Sequence, residues 1–340
     1  MKKHIRQTTQ KLLNLGLKPL GYQALLKSVD MYEWQTSPAK GRHYHRGGRL
    51  PSGAEEYLRY DHPRYQELER RYTKCHPSVI DPIRWKQGHV RHDDVLYFRG
   101  DNAYVHQHRG RNMNIVGYAL STYYVKSIDS FHLLEKLSED DFFGNFLFEI
   151  DHQLISRDLL DSICEMYFLS KHVDFRGMNI LDIGAGYGRL AHRLVTANPL
   201  VHRYFCADAI AVSTFISEYY VQFRQLEEKV SVVPLDEIED VLQHNSIDLA
   251  VNIHSFSECR TSAIEYWLSL LVRHAVRYLM VIPNGRGIPR EPMVNKEGQD
   301  MKAVIERYGY MLVAEEPQYS DPIVQQYGMG PSTYYLFSLE

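Results

Sequence analysis

The C-terminal half of the chain alternates short apolar runs with longer segments in which apolar residues recur every three or four positions. The short runs predict strands over residues 180–183, 204–207, 230–233, 247–253, 278–282, 311–315 and 333–338. The longer segments predict helices over residues 189–197, 212–226, 262–276 and 299–308. Strands separated by helices of this length form a parallel sheet with crossover helices. Residues 317–331 lack a helical period, so we expect a loop there and an antiparallel pairing of the last two strands.

Ahead of the predicted sheet, residues 157–169 carry a wide apolar stripe at helical spacing. Ser156 precedes this helix as a cap, and Asp158 lies in its first turn, where the helix dipole favours a negative charge. Residues 40–112 have a poor helical period, and residues 95–98 and 103–105 predict short strands. Residues 5–29 have a weak apolar stripe, which we interpret as a docking helix rather than a membrane-surface helix.

Composition and charge mainly argue against particular classes of partner, site and location. The 340 residues suffice for two domains, and the net charge of -3 provides no overall field that would attract nucleic acid or an anionic membrane. The 4 cysteines include no C-x-x-C pair, which argues against disulfides and a zinc site and favours a cytoplasmic location. The sequence has no apolar run of about 18 residues, and its N-terminus lacks the apolar core of a signal peptide.

A glycine-rich loop, Gly184-Ala185-Gly186-Tyr187-Gly188, joins the first predicted strand to the helix that follows it. Glycines allow a tight turn and let a ligand approach the backbone. Dinucleotide enzymes use G-x-G-x-x-G, whereas here the third glycine comes one position early and Arg189 occupies the place of a small residue. A plain strand-to-helix turn is the alternative interpretation.

Two carboxylates flank this loop in the predicted fold. Asp182 stands just before it, at the end of the first predicted strand, and is expected to bind one end of a ligand held by the loop. Asp208 follows the second strand, where a carboxylate can accept hydrogen bonds from both ribose hydroxyls, although it could also cap the next helix. Ala209 is expected beside the cofactor, and Asp236, after the third strand, beside either the adenine or solvent.

The fourth strand ends at Asn252 and Ile253 and is followed by a polar run from His254 to Glu258. Polar groups at the carboxyl end of a parallel strand lie at the reacting edge of the sheet. His254 is our candidate general base, and Glu258, four residues later, is a candidate to orient its imidazole. The alternatives are a histidine that lines the adenine side and a carboxylate that begins a helix. Asn252 is predicted to contact the cofactor.

A histidine-rich stretch invites a metal interpretation, with His89 and His92 ahead of Asp93 and Asp94. Residues 40–112 nevertheless hold fifteen Lys or Arg against nine Asp or Glu, and this positive charge opposes a bound cation. The fifth strand ends at Pro283 and Asn284 without an acidic pair. We therefore predict no metal. The basic, tyrosine-rich surface suits a hydroxylated or anionic substrate, and the alternative interpretation is a solvated basic face.

Three stretches together resemble the sugar O-methyltransferase family, a branch of the class I S-adenosylmethionine-dependent methyltransferases. They span residues 155–169, 181–190 and 248–258, and a Phe-Glu-x-Asp run precedes them at residues 148–151. The resemblance covers residues 148–340, and Cys259 stands where the family usually has methionine. It implies an α/β Rossmann-like sheet with a C-terminal antiparallel hairpin and an N-terminal α/irregular substrate region.

The resemblance also implies an organisation and an activity. Residues 1–140 would form the substrate-binding or lid region, residues 141–175 a helical connector with Arg157 near the cofactor, and residues 176–340 the cofactor domain. The acceptor would be a sugar hydroxyl of a glycoside, a nucleotide sugar or a glycan. Methylation of a non-sugar oxygen or nitrogen, a non-catalytic cofactor-binding module and, more weakly, a nucleic-acid methyltransferase stay open, as does a homo-oligomer.

Overall fold

The computed structural model describes residues 48–81, 85, 88–107, 112–284 and 293–340. The strands are β1 (Phe148–Ile150), β2 (Gln153–Ile155), β3 (Asn179–Ile183), β4 (Arg203–Ala207), β5 (Val230–Val233), β6 (Leu249–Ile253), β7 (Tyr278–Ile282), β8 (Tyr310–Pro317) and β9 (Thr333–Leu339). The helices are α1 (Ala54–Tyr57), α2 (Pro63–Tyr72), α3 (Pro77–Ile80), α4 (His92–Leu96), α5 (Ile115–Ile128), α6 (Leu133–Lys136), α7 (Arg157–Ser170), α8 (Arg189–Ala197), α9 (Ala211–Phe223), α10 (Ile238–His244), α11 (Thr261–Arg273), α12 (Met301–Arg307) and α13 (Pro322–Tyr327). Short 3₁₀ turns lie at Leu235–Glu237 and Ser255–Glu258.

Seven strands form one sheet in the order β5-β4-β3-β6-β7-β9-β8. Neighbouring strands from β5 to β7 run parallel, and β9 is antiparallel to both β7 and β8. The prediction of a Rossmann-like sheet with a C-terminal antiparallel pair is therefore confirmed. β3 lies next to both β4 and β6, so the carboxyl ends of these three strands share one edge.

The connection between β8 and β9 differs from the expected loop. Residues 322–327 form α13, because Asp321 accepts the N–H groups of Ile323 and Val324 and Pro322 occupies the first turn. Such an acceptor and a first-turn proline are favourable helix-start signals even for a short helix. The helix packs against α5, which belongs to the chain ahead of the sheet.

The helix predicted over residues 157–169 is confirmed as α7. Ser156 Oγ accepts the N–H of Leu159 at 3.0 Å, as expected of a cap. Arg189, at the start of α8, reaches back to the Glu165 carboxylate of α7 with two hydrogen bonds of 2.9 and 2.8 Å. Arg189, which occupies the position of a small residue in dinucleotide-binding loops, thus links the start of α8 to α7.

The two short strands predicted before residue 112 are wrong. Residues 92–96 form α4, since the Asp94 side chain accepts the N–H of Arg91 and closes the first helical turn. Residues 103–105 form a turn, because Asn102 Oδ1 accepts the N–H groups of Tyr104 and Val105. Side chains that bond to nearby backbone groups compete with strand formation. The predicted helix over residues 5–29 lies outside the described residues.

A buried charge network joins this upstream part to the sheet domain. The Arg99 side chain is fully buried and donates to Asp140 and Glu139, each at 2.7 Å. Arg193 of α8 also binds Glu139, and Arg224 binds Asp140 at 2.6 Å. Removing one partner of such buried pairs is costly, so the network fixes residues 99 and 139–140 on the helices that flank β4.

Candidate active site

A cavity of about 480 Å³ opens at the carboxyl ends of β3, β4 and β6. This volume falls within the range of small-molecule and cofactor sites. Of the residues predicted to form the site, the cavity is lined by Arg157, Asp182, Gly184, Ala185, Gly186, Asp208, Ala209, His254 and Glu258. Gly188, Asp236 and Asn252 do not line it.

The glycine loop has the tight geometry that its composition predicts. Gly184 has φ +78°, and a Cβ there would collide with the side chain of Ser255. Gly188 has φ +88° and immediately precedes α8. The role predicted for Gly188 as a cofactor contact is thus replaced by a turn-forming role, since its backbone leads the chain into the helix.

The N–H groups of this loop are already bonded within the fold. Gly184 and Ala185 both donate to Ala207 O, at 2.8 and 3.2 Å, and Gly188 donates to Ala185 O at 3.0 Å. Gly186 donates to Asp208 Oδ2 at 3.0 Å. Phosphate-binding loops instead point their N–H groups at the ligand. Four N–H groups of this loop are therefore committed elsewhere, which is a poor match to a pyrophosphate ligand.

Two buried carboxylates line the cavity on either side of the loop. The Tyr204 hydroxyl donates to Asp182 Oδ2 at 2.8 Å, and burial raises the pKa of Asp182 to about 6. Asp208 accepts the N–H of Ile210 at 2.8 Å on the oxygen that Gly186 does not use. Burial raises the pKa of Asp208 to about 7, although these two N–H groups oppose the shift. Each Asp208 oxygen keeps acceptor capacity for a ligand hydroxyl.

Asp236 lies outside the cavity and is bonded to α2. Its carboxylate accepts two hydrogen bonds from Arg71, at 2.9 and 2.8 Å. The adjacent Leu235 N–H donates to the Tyr72 hydroxyl at 3.0 Å. Both groups at the end of β5 that could meet an adenine are thus taken by one upstream helix, and of the two interpretations of Asp236 the structure favours the solvent side.

Asn252 is fully buried and does not line the cavity, and its side chain instead links two backbone segments. Its Nδ2 donates to Ile183 O at 2.8 Å, and its Oδ1 accepts the N–H of Phe256 at 2.9 Å. Ser255 Oγ donates to the same carbonyl at 3.1 Å. The expected cofactor contact gives way to a structural role, because these bonds fix the polar run after β6 against the end of β3.

His254 lies in the cavity wall with φ +68°, at the start of the Ser255–Glu258 turn. Burial lowers the pKa of its imidazole to about 3, and the nearby Arg157 adds to this effect. The ring has no hydrogen bond to any residue in the described ranges. A neutral imidazole without a hydrogen-bond partner in the described ranges therefore lines the cavity.

Glu258 does not orient that imidazole. Its carboxylate accepts a hydrogen bond from the Trp85 indole N–H and another from Asn284 Nδ2 at 2.9 Å. The Ser255–Glu258 segment is a 3₁₀ turn, so the four-residue spacing of an α-helix does not apply. The predicted pairing of Glu258 with His254 is therefore wrong. Glu258 instead bonds to Trp85, which also lines the cavity.

Three charged residues of α7, Arg157, Asp158 and Asp161, line the cavity. Arg157 Nε donates to Asp161 Oδ2 at 3.0 Å, and its Nη1 donates to His106 O at 2.8 Å. Asp158 is buried and accepts a hydrogen bond from the hydroxyl of Tyr187 in the glycine loop. Burial raises the pKa of Asp158 above its ordinary value.

Several cavity residues were not predicted. Upstream of the connector these are Val79, Trp85, Tyr104, His106 and Met113, and near β9 they are Gly330 and Ser332. The Tyr104 hydroxyl lies 3.2 Å from Ser213 Oγ of α9, which brings the ring over the loop. An aromatic-rich, irregular region beside a predicted sheet was the available signal, but its local pattern does not indicate which rings line the cavity.

Within the described ranges, no group of three or more His, Cys, Asp or Glu side chains is arranged to hold a metal ion. No helix there is long and apolar enough to cross a membrane.

No protein-family model matches the chain, nor does any curated protein. Solved structures match it at low identity. An S-adenosylmethionine-dependent methyltransferase from Aquifex aeolicus is 18% identical, with 52% of this chain and 89% of that chain covered, at a TM-score of 0.39. Magnesium protoporphyrin IX methyltransferase from Synechocystis PCC 6803 is 12% identical, with 65% and 97% covered, at 0.38.

A Streptococcus pneumoniae protein proposed to be a tRNA (m1A22) methyltransferase is 15% identical, with 52% of this chain and 69% of that chain covered, at a TM-score of 0.38. Matches at these identities and TM-scores do not carry a functional assignment.

Proposed function

We propose that this protein is an S-adenosylmethionine-dependent methyltransferase. The observation that carries the proposal is the bonding of the glycine loop: four of its N–H groups are used inside the fold, one of them by Asp208. This arrangement disfavours a phosphate-bearing dinucleotide but leaves a carboxylate beside the loop for a ribose. S-adenosylmethionine carries a ribose and no phosphate, and it supplies a methyl group activated on a sulfonium sulfur.

The cavity offers a partner for each end of this cofactor. Asp208 would accept the ribose hydroxyls, with Ala209 next to it. The methionine end would lie between the glycine loop and α7, where Asp182 suits the ammonium group and Arg157 suits the carboxylate. The adenine would lie toward Trp85 and Trp267, because the end of β5 is covered by α2.

Within this proposal, His254 serves as the base for an oxygen acceptor. A hydroxyl oxygen must lose its proton as it gains the methyl group, and the neutral imidazole can accept that proton. Burial, together with the nearby Arg157, disfavours the charged imidazolium, which makes His254 a weaker base in the empty site than a solvated histidine.

For the acceptor, we propose a sugar hydroxyl, on the basis of the family resemblance over residues 148–340. Hydrogen-bonding side chains in the upstream wall are compatible with it. The second candidate is a nitrogen or non-sugar oxygen acceptor, and the third is a non-catalytic cofactor-binding module. A neutral amine needs little help from a base, so the effect of replacing His254 distinguishes nitrogen from oxygen.

Calorimetric titration of S-adenosylmethionine tests the proposal. We expect micromolar binding, about 8 kcal/mol, that weakens at least about tenfold in Asp208→Ala. Asp240→Ala is the matched control, because this exposed carboxylate lies outside the cavity. A folded protein that releases no heat with either S-adenosylmethionine or S-adenosylhomocysteine contradicts the proposal. Cofactor binding without turnover on any acceptor favours the non-catalytic module.

A further inference from the structure

Two helices at the surface expose apolar side chains. Among the residues that the structure describes, nine large apolar side chains are exposed, and four of them lie on α5 and α13. They are Val116 and Tyr123 of α5, exposed by 46% and 55%, and Ile323 and Tyr327 of α13, exposed by 61% and 53%. Single exposed apolar residues are ordinary on a protein surface, whereas a cluster of them marks an interaction site.

The spacing of these residues places each pair on one side of its helix. Val116 and Tyr123 are seven positions apart, with the half-buried Leu120 between them, which is the spacing of a single helical face. Ile323 and Tyr327 are four positions apart on α13 and therefore share a face as well. Each helix thus presents an apolar stripe outward, away from its buried residues.

The two stripes adjoin because α13 is bonded to α5 at both of its ends. The hydroxyl of Tyr124 accepts the N–H of Ser320, just before α13, at 2.9 Å. The Oγ atom of Ser121 accepts the N–H of Met329, just after α13, at 3.0 Å. These bonds hold α13 beside the turn of α5 that contains Tyr123. The exposed side chains of the two helices form one surface, which we call the α5–α13 face.

The α5–α13 face carries almost no charge. The two helices hold a single charged side chain, Lys126, and it is bonded to Asp151 at 2.7 Å. Nucleic acids are bound through basic groups, and helices that lie in a membrane surface carry Lys or Arg beside their apolar stripe. Neither helix offers such a set of basic groups. An uncharged face is instead compatible with a copy of itself, because no like charges meet across a two-fold axis.

The exposed area also matches what a dimer requires. A standard interface buries about 800 Å² on each partner, and somewhat more than half of that area is apolar. The four side chains are each about half exposed and together present roughly 400 Å², since a whole aromatic side chain contributes about 150–250 Å². Two of the four are tyrosines, which are enriched in the cores of protein interfaces.

We propose that the α5–α13 face is the interface of a two-fold symmetric homodimer. The occupant is a second copy of this chain, because two-fold dimers are the commonest closed oligomers and this face does not repel itself. The same surface patch then meets its equivalent on the partner subunit. The inference is independent of the proposed methyltransferase function, and it assigns a specific surface to the homo-oligomer that the sequence left open.

Sedimentation velocity of the full chain, from about 1 µM to about 100 µM, tests the proposal. The variants Tyr123→Glu and Ile323→Glu place like charges on both sides of the two-fold axis. The matched controls are Leu200→Glu and Met311→Glu, whose side chains are exposed by 64% and 52% but lie outside the face. Circular dichroism and thermal unfolding show whether each variant is folded, and Tyr327→Ser replaces a face variant that is not.

We expect a wild-type dimer with a micromolar or tighter Kd, and a Kd that rises at least about tenfold in both face variants but not in the controls. A wild type that stays monomeric over the whole range overturns the proposal, as does a dimer that survives both face variants. A monomer that sediments with vesicles of phosphatidylcholine and phosphatidylglycerol, and loses this in the face variants, also overturns it, because the occupant is then lipid.

Discussion

The N–H of Gly186 donates to Asp208 Oδ2 across 3.0 Å, so the middle of the glycine loop is tied to the residue that follows β4. Ile210 donates to the other oxygen of the same carboxylate at 2.8 Å. Asp208 therefore shapes the loop and also faces the cavity. Replacing it changes both the loop and the proposed ribose contact, which is why the pH dependence of binding is a sharper probe than affinity alone.

Cofactor affinity should rise with pH in the neutral range. Burial raises the pKa of Asp208 to about 7 in the empty site, so most of the protein carries a protonated Asp208 at pH 6. Two ribose hydroxyls donate to the ionised form and lower its pKa in the complex. The Kd should therefore fall about tenfold between pH 6 and pH 8, with protons released on binding. Calorimetry in buffers of different ionisation enthalpy measures both quantities.

The control for this pH dependence is Asp208→Asn, which should bind weakly but with a flat profile from pH 6.5 to 8. Asp182 has its pKa raised to about 6 by burial, so it adds to the slope mainly below pH 6.5. Proton uptake on binding, or an affinity that falls as pH rises, would contradict the proposed role of Asp208.

Gly184→Ala should lose more stability than Gly177→Ala. Both glycines have positive φ, +78° and +71°, so each alanine carries a backbone cost of roughly 1 kcal/mol. An added Cβ at Gly177 meets nothing within 4 Å, whereas at Gly184 it collides with Ser255. We expect an additional loss of about 1–3 kcal/mol for Gly184→Ala, measured by urea unfolding. Equal losses would show that the loop relaxes without strain.

The Arg189–Glu165 pair should behave as a buried ion pair. Replacing one partner leaves the other buried without compensation, so Arg189→Met should cost about 3–5 kcal/mol. The double variant Arg189→Met with Glu165→Leu should recover part of that loss, since neither charge remains. A double variant whose loss equals the sum of the single losses would show that the two residues contribute independently.

The sequence predicted most of the sheet because apolar periodicity is local. The glycine loop and Asp208 were found for the same reason, since each directly follows a recognisable strand. Asp236 was placed correctly after a strand, but its carboxylate is bound by Arg71, which lies 165 positions away in the sequence. Trp85 likewise donates a hydrogen bond to Glu258, which was expected to bond to His254. Pairings between distant segments depend on how the upstream chain folds over the sheet, and no local pattern in one sequence encodes them.

The sharpest catalytic prediction concerns His254. Its φ of +68° suits asparagine, so His254→Asn removes the imidazole while keeping the backbone. With an oxygen acceptor, the methylation rate should fall roughly 10²–10⁴-fold, while cofactor Kd changes little. His132→Asn is the matched control, because His132 also has positive φ and does not line the cavity.

The pH profile provides an independent readout of the same residue. Burial holds the pKa of His254 at about 3, far below the ordinary value for histidine, so the ring stays neutral as pH varies from 5 to 8. At saturating cofactor, kcat should therefore show no histidine ionisation in that range. A step in kcat near pH 6.5 that disappears in His254→Asn would mean that the ring is solvated in the working complex. A rate that His254→Asn leaves within a few-fold of the wild type would indicate a nitrogen acceptor, which needs no base at this position.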